Sequence, residues 1–339
     1  MSVSDKLNIV RKINTKRLKN SYKVWRTYHQ SRKSGNLISP GFPLSLSVEP
    51  TTACNLRCPE CPSGLRSFTR PTGNLNLELF DKLLDETGDY LMYLLLYFQG
   101  EPFIHKNIFD LIRKAKTKNI YTATSSNAHF FTEQNARKTV ESGLDRLIIS
   151  IDGTTQDTYE AYRKEGSLEK VIQGTKNILY WKKKLRSKTP HVIFQFLVVR
   201  PNEHQIPEVY RLARELGVDE VSLKSAQVYD YKEGNPLIPK NEKYSRYQQG
   251  KDGLFYIKNG MDNHCWKMWH SCVMTWDGRV VPCCFDKDAH HVMGDLKTQS
   301  FSNIWYGETY QHFRKTLLTS RDKIEMCKNC TEGTQVDFK

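Results

Sequence analysis

The pattern of apolar and polar positions alternates between two periods from residue 44 to residue 225. Short apolar or strictly alternating runs are typical of strands, and longer runs with apolar residues every three or four positions are typical of amphipathic helices. The predicted strands are 44–48, 91–98, 121–124, 146–151, 192–199 and 220–224. The predicted helices between them are 77–87, 105–118, 132–142, 168–184 and 204–216.

This alternation predicts an α/β fold in which parallel strands are joined by helical crossovers, as in a partial (β/α)6 barrel. In such folds the functional side chains lie at the carboxyl ends of the strands. The pattern stops near residue 225, and a polar stretch and a cysteine-rich tail follow. The predicted organisation is a basic helix and linker at 1–43, a barrel at 44–225, a linker or lid at 226–260 and a small cysteine-rich domain at 261–339.

The positive charge of the chain is concentrated at its N-terminus. Residues 1–33 hold ten Lys or Arg and one acid, Asp5, so they carry +9 of the formal net charge of +14. Residues 6–29 are predicted to form an amphipathic helix. This helix could contact an anionic membrane surface, bind an acidic substrate or partner, or simply cover one end of the barrel. The sequence contains no specific nucleic-acid motif, so the basic charge alone does not favour a nucleic-acid-binding protein.

Composition and targeting signals favour a cytoplasmic protein, with peripheral contact at the inner face of the membrane as the alternative. The longest nearly unbroken apolar run covers 90–98, whereas a membrane span needs about 18 residues or more. The N-terminus has no apolar segment of the kind that a signal peptide requires. Nine cysteines, an odd number, in a chain without an export signal argue against a disulfide framework.

Three of these cysteines, Cys54, Cys58 and Cys61, directly follow the first predicted strand. Three thiolates can hold three corners of a cubane cluster and leave one iron open to a small chelating cofactor. A zinc site is the alternative, although zinc normally takes four ligands.

The other six cysteines lie near the C-terminus. Asp277-Gly278 is a hairpin signal that would bring Cys265 near Cys283, and a distant Cys-x-x-Cys pair could complete a set of four thiolates. A structural zinc site from the same thiolates is the alternative. We expect Cys284 to be an ordinary buried thiol, and His290 and His291 to be loop residues.

The first cysteine motif resembles that of the radical S-adenosylmethionine (radical SAM) enzymes. Gln99-Gly100-Glu101-Pro102 is similar to the Gly-Gly-Glu-Pro turn of that family. The resemblance implies a 4Fe–4S cluster on Cys54, Cys58 and Cys61, with S-adenosylmethionine on its open iron. It also implies cofactor contacts at strand ends, by Gly100, Glu101, Pro102, Asn127, Ser150 and Asp152, and a contact of Arg163 with the cofactor carboxylate. For Glu101, Asn127 and Asp152, ordinary turn and cap chemistry is the alternative.

The C-terminal pattern resembles the SPASM group and its shortened "twitch" relatives. This resemblance implies one auxiliary 4Fe–4S cluster bound by Cys265, Cys283, Cys327 and Cys330, with Cys272 as an alternative to Cys265. Glu60 stands where radical SAM relatives often carry an aromatic residue beside the third cysteine, which puts that cofactor contact in question.

The resemblance implies an enzyme that cleaves S-adenosylmethionine reductively and abstracts hydrogen from a substrate with the resulting 5′-deoxyadenosyl radical. It implies a low-potential electron donor such as flavodoxin or ferredoxin. Three functions remain open: net oxidation of a sugar-like or other small molecule with electron transfer to the auxiliary cluster, maturation or epimerisation of a ribosomally made peptide, and non-catalytic electron carriage. An epimerase would need a thiol that donates a hydrogen atom. Cys272 or Cys284, neither of which is assigned to a cluster, could supply that thiol.

Overall fold

The computed structural model describes residues 3–258 and 261–330. Its centre is a sheet of six parallel strands in sequence order, each paired with the next. These strands are β1 (Ser45–Val48), β2 (Tyr93–Leu95), β3 (Tyr121–Ser126), β4 (Arg146–Ser150), β5 (His191–Val198) and β6 (Glu220–Ser225). The prediction of a parallel α/β partial barrel is therefore confirmed.

Helices connect the strands, and they form where apolar periodicity and a capping residue coincide. The helices are α1 (Val3–Val10), α2 (Thr15–Ser34), α3 (Pro62–Leu65), α4 (Leu77–Thr87), α5 (Ile108–Thr117), α6 (Glu133–Glu141), α7 (Gln156–Tyr162), α8 (Leu168–Lys184), α9 (Ile206–Leu216), α10 (Lys267–His270), α11 (Phe301–Tyr306) and α12 (Glu308–Ser320). The side chains of Asn76 and Ser167 accept hydrogen bonds from the first turns of α4 and α8, which begin and end as predicted. The short helices α3 and α7 are too brief for their periodicity to show in the sequence.

The prediction of one N-terminal helix over 6–29 is wrong, because the segment forms two helices. Asn14 takes an extended conformation and its side chain caps α2 by accepting a hydrogen bond from the Arg17 N–H. The buried Arg17 guanidinium donates to the carbonyls of Lys12, Gly88, Lys118 and Asn119. Since three of these carbonyls precede β2 and β3, α2 is anchored at the amino-terminal end of the barrel.

The polar stretch after β6 is more ordered than a plain linker. It contains a two-stranded antiparallel hairpin of β7 (Tyr247–Gln249) and β8 (Phe255–Ile257). The Tyr247 hydroxyl donates to Oδ1 of Asn329 at 2.8 Å and accepts from the Val228 N–H at 3.0 Å. These bonds hold the stretch against the C-terminal region.

The cysteine-rich region extends the barrel sheet. β9 (Ser271–Met274) pairs in parallel with β1, and β10 (Arg279–Val281) and β11 (Gly294–Asp295) add antiparallel strands to give nine in all. Gly278, with φ of +87°, forms the turn between β9 and β10, which confirms the predicted hairpin. The fully buried Trp305 donates from its indole N–H to the Gly41 carbonyl at 2.8 Å. One hydrophobic core therefore runs through both regions.

In the described residues, no helix combines the length and the apolar character needed to cross a membrane.

Candidate functional site

The first three cysteines lie in the loop that follows β1, at the carboxyl end of the barrel. Cys58 is buried, Cys54 and Cys61 are half-buried, and all three belong to one apolar cluster that includes Leu56. The Leu56 N–H donates to the Cys54 sulfur at 3.5 Å, and the Arg163 guanidinium lies 3.8 Å from the Cys58 sulfur. These donors suit sulfur atoms that carry negative charge.

The same loop disfavours free thiolates unless a cation is present. Burial raises the pKa of Cys54 to about 12. Burial also raises the pKa of Cys58, although the positive charge of Arg163 opposes that rise. Thiolates become stable here when cationic iron binds them, since metal ligation deprotonates thiols. The three cysteines therefore fit an iron–sulfur cluster.

The Gly100–Glu101 turn that follows β2 is held close to the cysteine loop. Gly100 has φ of +75°, and a Cβ at this position would lie 2.3 Å from the Thr51 carbonyl oxygen. The Glu101 N–H donates to the Ala53 carbonyl at 2.8 Å. Only glycine allows this close approach of the two backbones.

The Glu101 side chain is engaged within the protein. Its buried carboxylate accepts hydrogen bonds from the Phe103 N–H at 3.1 Å, the Ser126 hydroxyl at 2.8 Å and the Asn127 N–H at 2.7 Å. Burial raises the pKa of Glu101 to about 7, and these donors limit the rise. Glu101 thus joins the end of β2 to the end of β3.

Asp152, just beyond β4, forms a buried ion pair with Arg163 at the end of α7. The Leu197 N–H also donates to the Asp152 carboxylate, at 2.7 Å. Burial alone would lower the pKa of Arg163, but Asp152 and the Cys58 sulfur hold it well above its ordinary value. Arg163 therefore stays charged beside the first cysteine cluster.

The remaining predicted cofactor residues lie at the same edge of the barrel. Pro102 begins a single helical turn after Glu101, and Ser150 is the buried last residue of β4. The Asn127 amide donates to Asn55 in the cysteine loop at 2.8 Å. The structure thus places these residues around the cysteine loop, but their contacts with a cofactor remain predictions. Glu60 accepts from the Tyr229 N–H at 3.0 Å and is turned toward the stretch after β6.

Sequence reasoning missed Asn202, which is fully buried after β5. Its amide donates to the carbonyls of Asp152 at 3.0 Å and Leu197 at 2.8 Å, and its oxygen accepts from the Val199 N–H. It therefore fixes the backbone that carries Asp152. Its position, an amide residue shortly after a strand end, was the available signal.

The C-terminal cysteines form a second group. Cys265, Cys283, Cys327 and Cys330 are buried and line one small cavity, together with the apolar Met268, Phe285, Phe313, Leu317 and Met326. Cys272 does not line this cavity; it is buried in β9. Cys284 is exposed, contrary to expectation, and its sulfur lies 3.8 Å from the Lys267 ammonium. His290 and His291 lie in a loop, as predicted.

The cavity also contains one buried cation, Arg321, which is 1% exposed. Its guanidinium donates to the carbonyls of Asp262 at 3.2 Å and His264 at 3.0 Å. Burial raises the pKa values of Cys265 and Cys327, and the charge of Arg321 opposes both rises. Four thiols and a fixed positive charge around an enclosed space fit a fully ligated iron–sulfur cluster.

A partial barrel with three thiols at its carboxyl end and four thiols around a cavity in its extension fits an iron–sulfur protein. The family model described as "Radical SAM superfamily" matches residues 48–213, and the model described as "Iron-sulfur cluster-binding domain" (SPASM) matches residues 265–331. The chain belongs to the radical SAM superfamily, in its SPASM-containing group.

Two relatives and one solved structure illustrate the similarity. The chain is 24% identical to the tungsten-containing aldehyde ferredoxin oxidoreductase cofactor-modifying protein of Pyrococcus furiosus, over 86% of this chain and 88% of the relative. It is 26% identical to the PqqA peptide cyclase of Gluconobacter oxydans, over 86% of this chain and 83% of the relative. The crystal structure of BtrN in complex with AdoMet and 2-DOIA has a TM-score of 0.55 at 19% identity and covers 89% of this chain and 98% of that one.

Family membership establishes an enzyme with a 4Fe–4S cluster, S-adenosylmethionine and auxiliary iron–sulfur binding. The alternatives of a zinc site and of a non-catalytic carrier are therefore not supported.

Replacing Cys265 by alanine is expected to remove the auxiliary cluster, whereas replacing Cys272 is not. Only Cys265 lines the cavity that contains the other three thiols. After anaerobic reconstitution, Cys265→Ala should bind about four fewer irons than the unmodified chain, and Cys272→Ala should bind the same number. Iron analysis with Mössbauer spectroscopy makes the measurement. Loss of iron in Cys272→Ala alone would contradict the assignment.

Proposed function

We propose that this enzyme carries out net oxidation of a peptide substrate held between its two cysteine groups. The observation that carries the proposal is a cavity of about 790 Å³. Its lining includes Pro62, which is next to Cys61, and Met326 and Lys328, which flank Cys327. A substrate in this cavity would lie between the site of radical formation and a one-electron acceptor.

When bound, the cofactors supply a 5′-deoxyadenosyl radical at the first cysteine group and an electron acceptor at the second. The chain's own residues would hold and orient them. The Gly100–Glu101 turn and the Asp152–Arg163 pair would position the S-adenosylmethionine beside the open iron. The segment 229–232 and the loop 285–288 both line the cavity and would exclude water from the reacting carbon.

The lining of the cavity suits the mixed chemistry of a peptide. It includes lysines and carboxylates as well as Tyr229 and Tyr231, and the Lys287 ammonium lies 4.7 Å from the centre of the Tyr229 ring. Relatives of similar length include a PqqA peptide cyclase, and oxidative crosslinking of a peptide removes two hydrogen atoms. These points favour a peptide over other substrates.

A sugar-like or other small molecule is the second candidate substrate for the same oxidation. The volume of the cavity lies within the range of about 300–1,000 Å³ that is typical of small-ligand sites. The charged side chains around it could also bind hydroxyl groups.

Mass spectrometry of the product tests both the reaction and the substrate. The reconstituted enzyme is incubated with S-adenosylmethionine, dithionite and either a peptide encoded beside its gene or an aminocyclitol. We expect a peptide lighter by two hydrogen atoms, with one 5′-deoxyadenosine formed for each. A peptide of unchanged mass with an inverted centre would support epimerisation instead. Cys327→Ala/Cys330→Ala is the control, because it should still form 5′-deoxyadenosine without the oxidised product.

A further inference from the structure

One face of α2 is strongly basic and exposed. The helix contains seven Lys or Arg residues and no acid in its 20 residues. Five of the exposed residues in its C-terminal half form what we call the α2 basic face: Trp25, Arg26, His29, Arg32 and Lys33. The opposite side of the helix is buried through Val24, Thr27, Tyr28 and Ser31. The orientation of this face is therefore fixed relative to the rest of the protein.

Aromatic rings connect the α2 basic face to the auxiliary cysteines. Trp25 lies 4.8 Å from His29, and His29 lies 5.2 Å from the buried Tyr28, measured between ring centroids. The Tyr28 hydroxyl is 3.0 Å from Nδ1 of His264, and its ring lies 5.0 Å from that of Trp266. His264 and Trp266 are the two chain neighbours of Cys265. We call Trp25, His29, Tyr28, His264 and Trp266 the aromatic row. Its exposed end, Trp25, thus lies within a few side chains of the second cysteine group.

We propose that the α2 basic face is a docking surface for an acidic one-electron carrier protein that takes the electron from the auxiliary cluster. The proposal rests on the proposed net oxidation, because each oxidised substrate leaves one electron at the auxiliary site. One electron passes from the reduced cluster to the oxidised carrier, and no proton or atom is transferred. Basic side chains would attract an acidic partner and orient it over the aromatic row.

A membrane surface is the other occupant that a basic helix with exposed Leu18 and Tyr22 could take. It does not account for the position of Tyr28 between the exposed face and both neighbours of Cys265. A carrier protein accounts for the charge and for this connection together.

Stopped-flow oxidation of the auxiliary cluster tests the proposal. The full chain with Cys54, Cys58 and Cys61 replaced by alanine retains only the auxiliary site, and is reduced with dithionite and mixed with oxidised flavodoxin as the acidic carrier. In this background, Arg26→Gln/Arg32→Gln/Lys33→Gln should lower the second-order rate constant about tenfold at low ionic strength. The rate constant of the parent should fall as salt is added.

The matched control removes three exposed lysines from α8, as Lys170→Gln/Lys176→Gln/Lys183→Gln. It should change the rate constant less than twofold. Equal rate constants for parent and α2 variant, or equal losses in both variants, would overturn the proposal. Co-sedimentation with phosphatidylglycerol vesicles that is lost only in the α2 variant, with an unchanged flavodoxin rate, would assign the face to lipid instead. No substrate is present, so the result is independent of the peptide oxidation test.

Discussion

Replacing Cys54, Cys58 and Cys61 together by alanine will abolish the cleavage of S-adenosylmethionine and remove about half of the iron. The reason is that these three thiols form one group at the carboxyl end of the barrel, while the four C-terminal thiols line a separate cavity. After anaerobic reconstitution, about eight irons should fall to about four. Formation of 5′-deoxyadenosine, measured by chromatography with dithionite as reductant, should fall to background.

The reciprocal variant is the control for this experiment. Cys327→Ala/Cys330→Ala should also bind about four irons, but it should still cleave S-adenosylmethionine, because its first cysteine group is intact. Cleavage that survives in the triple variant would show that the first group is not the catalytic site. Four irons in the unmodified chain and none in the triple variant would remove the electron acceptor on which the oxidation proposal depends.

The elements that could be predicted from sequence are those specified locally. α4 and α8 combine an amphipathic pattern with a capping side chain, so their bounds follow from nearby residues. The break between α1 and α2 depends on a single cap at Asn14 within a continuous amphipathic pattern, and periodicity conceals it. The pairing of β9 with β1 joins residues more than 200 positions apart, and no local signal specifies it.

The candidate site, like the fold, could be predicted from sequence only where nearby residues specify it. The spacing of Cys54, Cys58 and Cys61 predicted a cluster site without any structure. The sequence favoured Cys265 over Cys272 as the first auxiliary ligand but left Cys272 open as the alternative, because only packing directs one of them into the cavity. The neighbours that tune these sites, Asn202 and Arg321, come from distant parts of the chain and carry no motif.

A buried ion pair between Glu49 and Arg70 connects three parts of the molecule. The two side chains are 0% and 1% exposed, and two hydrogen bonds of 2.9 and 2.6 Å join them. Glu49 also accepts from the Trp276 N–H at 3.2 Å, and the Arg70 Nε donates to the Lys287 carbonyl at 3.1 Å. The pair therefore ties the end of β1 and the segment after the first cysteines to the C-terminal region.

Arg70→Met is expected to lower the free energy of unfolding by about 3–5 kcal/mol, because it leaves the Glu49 carboxylate buried without its partner. Urea denaturation followed by circular dichroism measures the loss. Glu49→Leu/Arg70→Met should recover most of it, since an apolar pair of similar volume avoids the uncompensated charge. Arg113→Met is the matched control: its partner Asp110 is exposed, so the change should stay within about 1 kcal/mol.

The loss in Arg70→Met should also depend on pH in a defined direction. Burial already raises the pKa of Glu49 in the intact protein, against the opposing charge of Arg70. Without Arg70 the pKa rises further, so the folded variant binds a proton that the unfolded chain releases at the same pH. A raised folded pKa gives stability at low pH that is lost as the pH rises through it. The free energy of unfolding of the variant should therefore be closer to that of the parent at pH 5.5 than at pH 8. Equal losses at both pH values would show that Glu49 is not the charge left uncompensated.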